Sequence, residues 1–274
     1  MRGVDKTLIP VDNHLHTKFC GHAAGEISEY LEKAAGLGIR AVGFSDHLPL
    51  YFLPPDKMIP NYAMDERDLP VYVNMVKKHA AVSPVDVKLG IEADFVPGHE
   101  KKLEKLLAQY QFDFVIGSVH FIDGWGFDDP AELEGYGKRD IDGIYERYFD
   151  LVQQAALTGF FDVMSHPDLV KKFNFPPTRP LRPLYEETAR VFKRAGVCVE
   201  VNTAGLRYPA KEIYPGPELL EVFYKYGLPV TMGSDAHRPD DVGCGLLEAM
   251  RLIKNTGYRE IATYKNRKIN FIEI

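Results

Sequence analysis

Seven short β-rich runs are spread along the chain, and each delivers an acidic residue or a histidine at or near its C-terminal end. They are Val11–His16, Ala41–His47, Lys88–Glu92, Phe114–His120, Asp162–His166, Val197–Asn202 and Val230–His237. Successive strand side chains point to opposite faces, so His14 and His16, two apart, share one face. A lone His-x-His is weak evidence for metal, because such a pair is as often a surface feature. Repetition of the pattern at seven strand ends is what constrains the chain.

Between these runs the apolar spacing is helical. Ile27, Tyr30, Leu31, Ala34 and Ala35 form the first such stripe, with Ser28 as expected N-cap and Gly36-Leu37-Gly38 as stop. Similar stripes predict helices over 65–81, 101–110, 142–158, 184–195, 217–226 and 242–255, and a short strand over 269–274. Strand, helix, strand in so short a span implies parallel pairing. Repeated seven times without a domain-separating linker, the pattern reads as an α/β barrel in one domain, residues 1–274. The proline-rich stretch 48–63, with Tyr51, Phe52 and Tyr62, excludes a regular element and is a candidate pocket wall.

In α/β barrels the C-terminal strand ends form the active face. That face would collect His14, His16, Asp46, His47, Glu92, His120, His166, Glu200, Asn202, Asp235 and His237. With His22 on the loop after the first strand, it takes seven of the nine histidines; His79 and His99 read as surface residues. Nitrogen and carboxylate donors without thiolate suit zinc, manganese or iron. One zinc site needs about four ligands. The set is larger, so two or three divalent ions sharing a carboxylate are expected, with Glu92 as the bridge. Such a pocket suits an anionic substrate and metal-assisted phosphoryl transfer to water. No Gly-x-Ser-x-Gly elbow, phosphate-loop motif or dinucleotide fingerprint competes with this reading.

Composition narrows the partners. A formal charge of -6 and a pI near 5.9 argue against a broad nucleic-acid surface. Three dispersed cysteines make no disulfide framework. Met1–Lys6 lacks the apolar core of a signal peptide, and no apolar run approaches membrane-spanning length. The expectation is a cytoplasmic protein acting on a small phosphorylated molecule, with no membrane and no extended nucleic acid as partner.

His14-x-His16, Ser45-Asp46-His47, Gly90-Ile91-Glu92, Gly117-Ser118-Val119-His120, Ser165-His166-Pro167 and Gly233-Ser234-Asp235-Ala236-His237 resemble, in order and spacing, the PHP (polymerase and histidinol phosphatase) superfamily. The likeness runs from about residue 10 to 240. Within the superfamily, Cys20–Gly25, His47-Leu48-Pro49, His166–Lys171 and Glu200–Arg207 with Tyr214-Pro215 are most similar to the monofunctional histidinol-phosphate phosphatases. The resemblance implies a distorted seven-stranded (β/α)7 barrel, similar to a TIM barrel, with a trinuclear centre at the strand C-termini. It implies hydrolysis of L-histidinol phosphate in histidine biosynthesis, by a metal-bound hydroxide.

Carried over by motif, His14, His16, Glu92 and Asp235 hold one ion, and Glu92, His120 and His166 a second. His22, His47 and His237 hold a third. His22 stands where much of the superfamily has Asp, and Glu26 or Asp46 are alternative donors there; Asp46 is otherwise an acceptor for a ligating imidazole. Glu92, Asp235 and His237 are the expected catalytic residues. Arg207 is expected on phosphate, with the paired Lys171 and Lys172 as further candidates behind it, and Glu200 and Asn202 on the substrate amine or behind a ligand. Glu212 is a further amine partner, and Tyr51, Phe52, Trp125 and Tyr208 are available as walls for an imidazole ring. The competing readings are a superfamily phosphoesterase acting on nucleotides or another small monoester, and a silent metal-binding barrel.

Overall fold

The computed structural model describes residues 9–274, so Met1–Lys6 lie outside the described residues. In chain order the elements are β1 (Val11–Leu15), α1 (Ile27–Leu37), β2 (Ala41–Phe44), α2 (Leu69–Ala80), β3 (Asp86–Asp94), α3 (Glu100–Leu107) and β4 (Phe114–Ser118). A small hairpin of β5 (Phe121–Ile122) and β6 (Trp125–Gly126) precedes α4 (Ile141–Leu157). Then come β7 (Val163–Met164), α5 (Arg182–Ala195), β8 (Cys198–Asn202), α6 (Pro217–Lys225), β9 (Val230–Gly233), α7 (Leu246–Thr256), β10 (Glu260–Lys265) and β11 (Lys268–Glu273).

Among the described residues, seven parallel strands pair in the order β1-β2-β3-β4-β7-β8-β9, and helices surround them. Closure comes from β1 and β9. His16 N donates to Ala236 O at 2.9 Å and Ala236 N to His14 O at 3.3 Å. The barrel is distorted where β7 shrinks to two residues between β4 and β8. A large ring crosses its interior at one point: a Cβ on Gly43 or Gly90 would lie 2.5 Å from the Phe114 ring. No other residue leaves that room.

Local physics explains where elements begin. α1 starts one residue before the expected cap. Glu26 is its N-cap, in a capping box with Glu29, and Gly38 at φ 73° ends it. Ser28 lies inside the helix because Ile27 must already face the core. α4 is capped by Asp140, whose carboxylate accepts from Gly143 N at 2.9 Å. The stripe expected on it, Ile144, Tyr148, Leu151, Val152 and Ala155, is buried.

Two features differ from the sequence expectation. β3 runs on to Asp94, past Glu92. The C-terminal strand is one arm of the β10–β11 hairpin, whose turn residues Asn266 and Arg267 have φ of 51° and 63°. A two-residue turn with both φ positive matches the strand twist; Asn266 favours it, but the usual glycine partner is missing. The hairpin closes the N-terminal end of the barrel. Ala262 and Tyr264 pack on Phe114, Ile116, Val163 and Cys198, and the Tyr264 hydroxyl donates to Asp162 O at 3.2 Å. No helix of the described residues is long and apolar enough to cross a membrane.

Asp12 locks the closure. It is fully buried and accepts from Ser234 N (2.7 Å), Ser234 Oγ (2.6 Å) and Gly243 N (3.0 Å). Burial pushes its carboxyl up to about 6, with those donors and His14 opposing the rise. Removing the acceptor strands the buried Ser234 N–H and hydroxyl and frees the half-buried Gly243 N–H. Asp12→Ala is therefore expected to destabilise the fold by about 3 kcal/mol, read as a lower urea midpoint at constant m-value. An unchanged midpoint would show that the stitch contributes nothing.

Candidate metal centre

The C-terminal strand ends converge on one carboxylate. Glu92 on β3 is 2 % exposed. Its Oε2 lies 3.2 Å from His14 Nε2, 3.5 Å from His16 Nε2 and 3.0 Å from His47 Nδ1. Its Oε1 lies 3.1 Å from His166 Nε2 and 3.8 Å from His120 Nε2. Ser118 Oγ donates to the same Oε1 at 2.5 Å. Each oxygen thus addresses a different group of imidazoles, which is the geometry expected of a shared ligand. Burying an ionised carboxylate costs several kcal/mol unless it is compensated. Burial pushes Glu92 up, but His14 and His47 outweigh it and hold the carboxyl well below the usual range.

Asp235 and His237 enter on the turn after β9. Asp235 Oδ1 is 3.1 Å from His16 Nε2, 3.9 Å from His14 Nε2 and 3.5 Å from His237 Nδ1. Backbone strain marks two of these positions, Asp235 at φ 54° and His166 at φ 24°, as is common where structure serves a site. His22 sits on the rim, with His22, His47 and His237 mutually in reach of one ion. His14, His16 and Glu92 form another such group, and His47, Glu92 and His120 a third. His47 therefore stands between two groups, where the resemblance implied only one. Glu26 turns away to Lys18 and is exposed, so it is no substitute for His22.

Behind the imidazoles lies a ring of acceptors. His14 Nδ1 is 2.7 Å from Glu200 Oε1 and His120 Nδ1 is 2.9 Å from Asp94 Oδ1. Asp46 takes Thr17 N at 3.1 Å and the Thr17 hydroxyl, and its other oxygen is 3.5 Å from His16 Nδ1. Glu200 and Asp94 orient the His14 and His120 rings and fix which nitrogen is free, whereas Asp46 sets a charge beside His16 without a hydrogen bond. Asp94 was not foreseen, although its place two residues after Glu92 puts it on the same strand face. Cys20 is also close to His16 and His237, but burial raises its thiol and it donates to Thr17 O at 3.2 Å.

Of the residues expected at the substrate, Glu200 and Asn202 take the alternative place behind a ligand, and Lys171 lies elsewhere. Glu200 and Asn202 lie beneath His14 and Asp235: Glu200 Oε2 accepts from His166 N at 3.1 Å and from Asn202 Nδ2 at 3.0 Å. Lys171 turns outward to Asp168 (2.7 Å) and Glu212 (2.5 Å) because the 3-10 turn carrying it presents Lys172 inward instead. The cavity over Glu92 has a volume of about 490 Å³, and Arg207, Lys172, Tyr62, Tyr208 and Asp128 line it with the metal-ligand candidates. Arg207 Nη2 donates to Ser234 O (2.7 Å) and Asp235 O (3.0 Å). Tyr62 and Tyr208 are the aromatic walls; Trp125 instead packs under Arg139, and Phe52 on Phe121. A depression of about 640 Å³ at the other end of the barrel, by Tyr224, Tyr258 and Phe271, holds none of these groups.

The residues fit divalent cations. His14 Nε2, both His16 nitrogens, His166 Nδ1 and His237 Nε2 are buried without a hydrogen-bond partner. Buried ring nitrogens left unpaired are costly unless something binds them. Burial lowers His14, but Glu200, Glu92 and Asp235 lift it well above 6.5; burial also lowers His16, but Asp235 and Asp46 lift it likewise. Burial and His47 push His22 down to about 4, and burial and His16 push His237 well below 6.5.

Residues 12–204 match the PHP domain family, and residues 220–255 a PHP-associated family. A Deinococcus radiodurans protein named "Probable histidinol-phosphatase" is 39% identical, over 94% of this chain and 97% of its own length. The Bacillus subtilis histidinol-phosphatase is 27% identical, over 85% of this chain and 95% of its own length. Among solved structures, the Lactococcus lactis histidinol phosphate phosphatase, complexed with zinc, L-histidinol and phosphate, superposes with a TM-score of 0.81 at 22% identity. It covers 96% of this chain and 100% of that chain. At that identity the likeness speaks for the fold.

Two outcomes are expected. Because the surrounding carboxylates favour the protonated forms of His14 and His16, zinc added to chelator-stripped protein near pH 7 should release protons; an indicator dye in weak buffer reads this, and uptake with no acidification would contradict it. Glu200→Gln should weaken zinc binding by about 10- to 100-fold, measured by competition with a chromogenic chelator. Unaltered affinity would remove Glu200 from the support of His14.

Proposed function

The chain belongs to the PHP domain family, and from that membership we propose a metal-dependent phosphomonoesterase that hydrolyses L-histidinol phosphate to L-histidinol and phosphate. The observation that carries the reading is Glu92, with one oxygen facing His14, His16 and His47 and the other facing His120 and His166. The substrate follows from the 39% identical relative, matched along almost its whole length.

The proposal assigns His14, His16, Glu92 and Asp235 to one divalent ion, Glu92, His120 and His166 to a second, and His22, His47 and His237 to a third. Zinc, manganese and iron all suit these donors. When bound, such ions polarise phosphoryl oxygens and acidify water. The protein's own share is positioning and charge. Arg207 keeps Nη2 on the turn of Asp235, while Nη1 is buried and without a partner, available to a phosphate oxygen. Asp94 and Glu200 hold the His120 and His14 rings in place, and Asp46 sets a charge beside His16, so that water and phosphate meet a fixed surface. In the reaction water adds at phosphorus, the phosphorus–ester oxygen bond breaks, and the alkoxide takes up a proton. The ligands come from both matched segments, since Asp235 and His237 fall in the PHP-associated stretch. We therefore take the chain as one catalytic unit.

Phosphate release from L-histidinol phosphate by zinc- or manganese-loaded protein tests the reading. Chelation should abolish it, and Glu92→Gln should cut kcat by roughly 10³-fold or more. Arg207→Lys should raise KM and lower kcat/KM by about 10- to 100-fold. Slow release from histidinol phosphate beside fast release from a nucleotide or another monoester would keep the site and replace the substrate. No release from any phosphoester by metal-loaded protein would end the enzyme reading.

A further inference from the structure

Besides Glu92 and Asp235, three carboxylates face the cavity: Asp128, Asp129 and Asp241. Asp129 is occupied as a cap, accepting from Ala131 N at 2.8 Å. Asp241 ends the 3-10 turn Pro239–Asp241, near Arg238 on the rim. Asp128 differs, because it is ion-paired inside the cavity. Lys172 Nζ donates to Asp128 Oδ2 at 3.0 Å and to its main-chain O at 2.8 Å. Lys172 is only 7% exposed and lies 4.4 Å over the Tyr208 ring. On the other side, the Tyr62 hydroxyl is 3.5 Å from Asp128 Oδ1. Aromatic rings thus wall a buried ion pair on both sides. A buried ion pair stabilises a fold little, because desolvation offsets the attraction. Its position facing the reaction chamber therefore calls for a ligand that uses it.

Histidinol phosphate carries its ammonium on the carbon next to the one bearing the phosphate ester. Both signs of charge fall within one short unit. The ammonium is repelled by the cation-binding floor and by Arg207, so it needs an anion set away from both. Asp128 Oδ1, its one long contact being Tyr62, is the oxygen of the pair that Lys172 leaves open, and Tyr62 and Tyr208 supply the ring faces that cations favour. We propose that Asp128 anchors the substrate ammonium, and that the Asp128–Lys172 pair selects phosphate monoesters of vicinal amino alcohols. The inference rests on the phosphomonoesterase reading of the same site.

The test compares metal-loaded wild-type and Asp128→Asn proteins on L-histidinol phosphate and on its des-amino analogue, 3-(imidazol-4-yl)propyl phosphate. Wild type should favour the amine by roughly 30-fold or more in kcat/KM, and the near-isosteric variant should bring that ratio to within about threefold of unity, mostly through KM. Calorimetry should show weaker binding of L-histidinol to the variant, with binding of inorganic phosphate little moved. Asp128→Glu should recover part of the preference. A wild-type ratio near one, an equal fall on both phosphoesters, or an equal loss of L-histidinol and phosphate binding would each overturn the role. If wild type hydrolysed neither compound, the enzyme reading would fail by itself, and the L-histidinol calorimetry would still decide on Asp128.

Discussion

One buried carboxylate organises the molecule. Glu92 sits on the longest strand of the barrel, ringed by imidazoles from four other strand ends, and it can be ionised there only because those rings answer its charge. The requirement runs outward in layers. The rings need carboxylates behind them, which Asp46, Asp94 and Glu200 provide. The carboxylates need room, and at Gly233 that room is visible. A Cβ there would lie 2.3 Å from Glu200 Oε1 and 2.5 Å from His14 Cβ. A methyl group at that point would push apart the pair that orients the first histidine.

Much of this was legible in the sequence, because strand ends carry a period-two code. His14 and His16, and the Asp, Glu or His closing each later run, name the active face without coordinates. The helix stripes were legible for the same reason. What escaped were contacts decided by tertiary packing. Asp94 obeys the same alternation as Glu92, but β3 had to be seen to continue before it counted. Lys171 and Lys172 are adjacent, and only the 3-10 turn decides which one enters the cavity. Glu200 and Asn202 lie on a strand end like the ligands do, yet one layer deeper, a difference of depth that no one-dimensional pattern carries. Tyr62 lines the cavity as part of the aromatic, proline-rich loop, whereas Trp125, a more conspicuous aromatic, is spent on packing against Tyr136 and Arg139.

The electrostatics divide the cavity by sign. At the floor, carboxylates and imidazoles are suited to cations. On one side Arg207 presents a buried guanidinium nitrogen. On another, Asp128 stays ionised: burial raises it, but Lys172 and His120 hold it below the usual range. A substrate with one group of each sign would be oriented by this layout before any chemistry begins, and much of what such a pocket contributes to rate is orientation of this kind.

The closure of the barrel also sets an order of events. Asp12 and Ser234, whose hydrogen bonds seal it, are 222 positions apart, and Asp235 and His237 follow directly after. A chain emerging from the ribosome exposes His14, His16 and Glu92 long before their last partners exist. Until β9 docks beside β1, His16 lacks the Asp235 carboxylate that lies 3.1 Å from its Nε2. The donors after β9 are thereby the last to arrive: a chain cut before β9 would keep the groups His14, His16, Glu92 and His47, Glu92, His120, and would miss Asp235 and His237, which complete the mouth of the site.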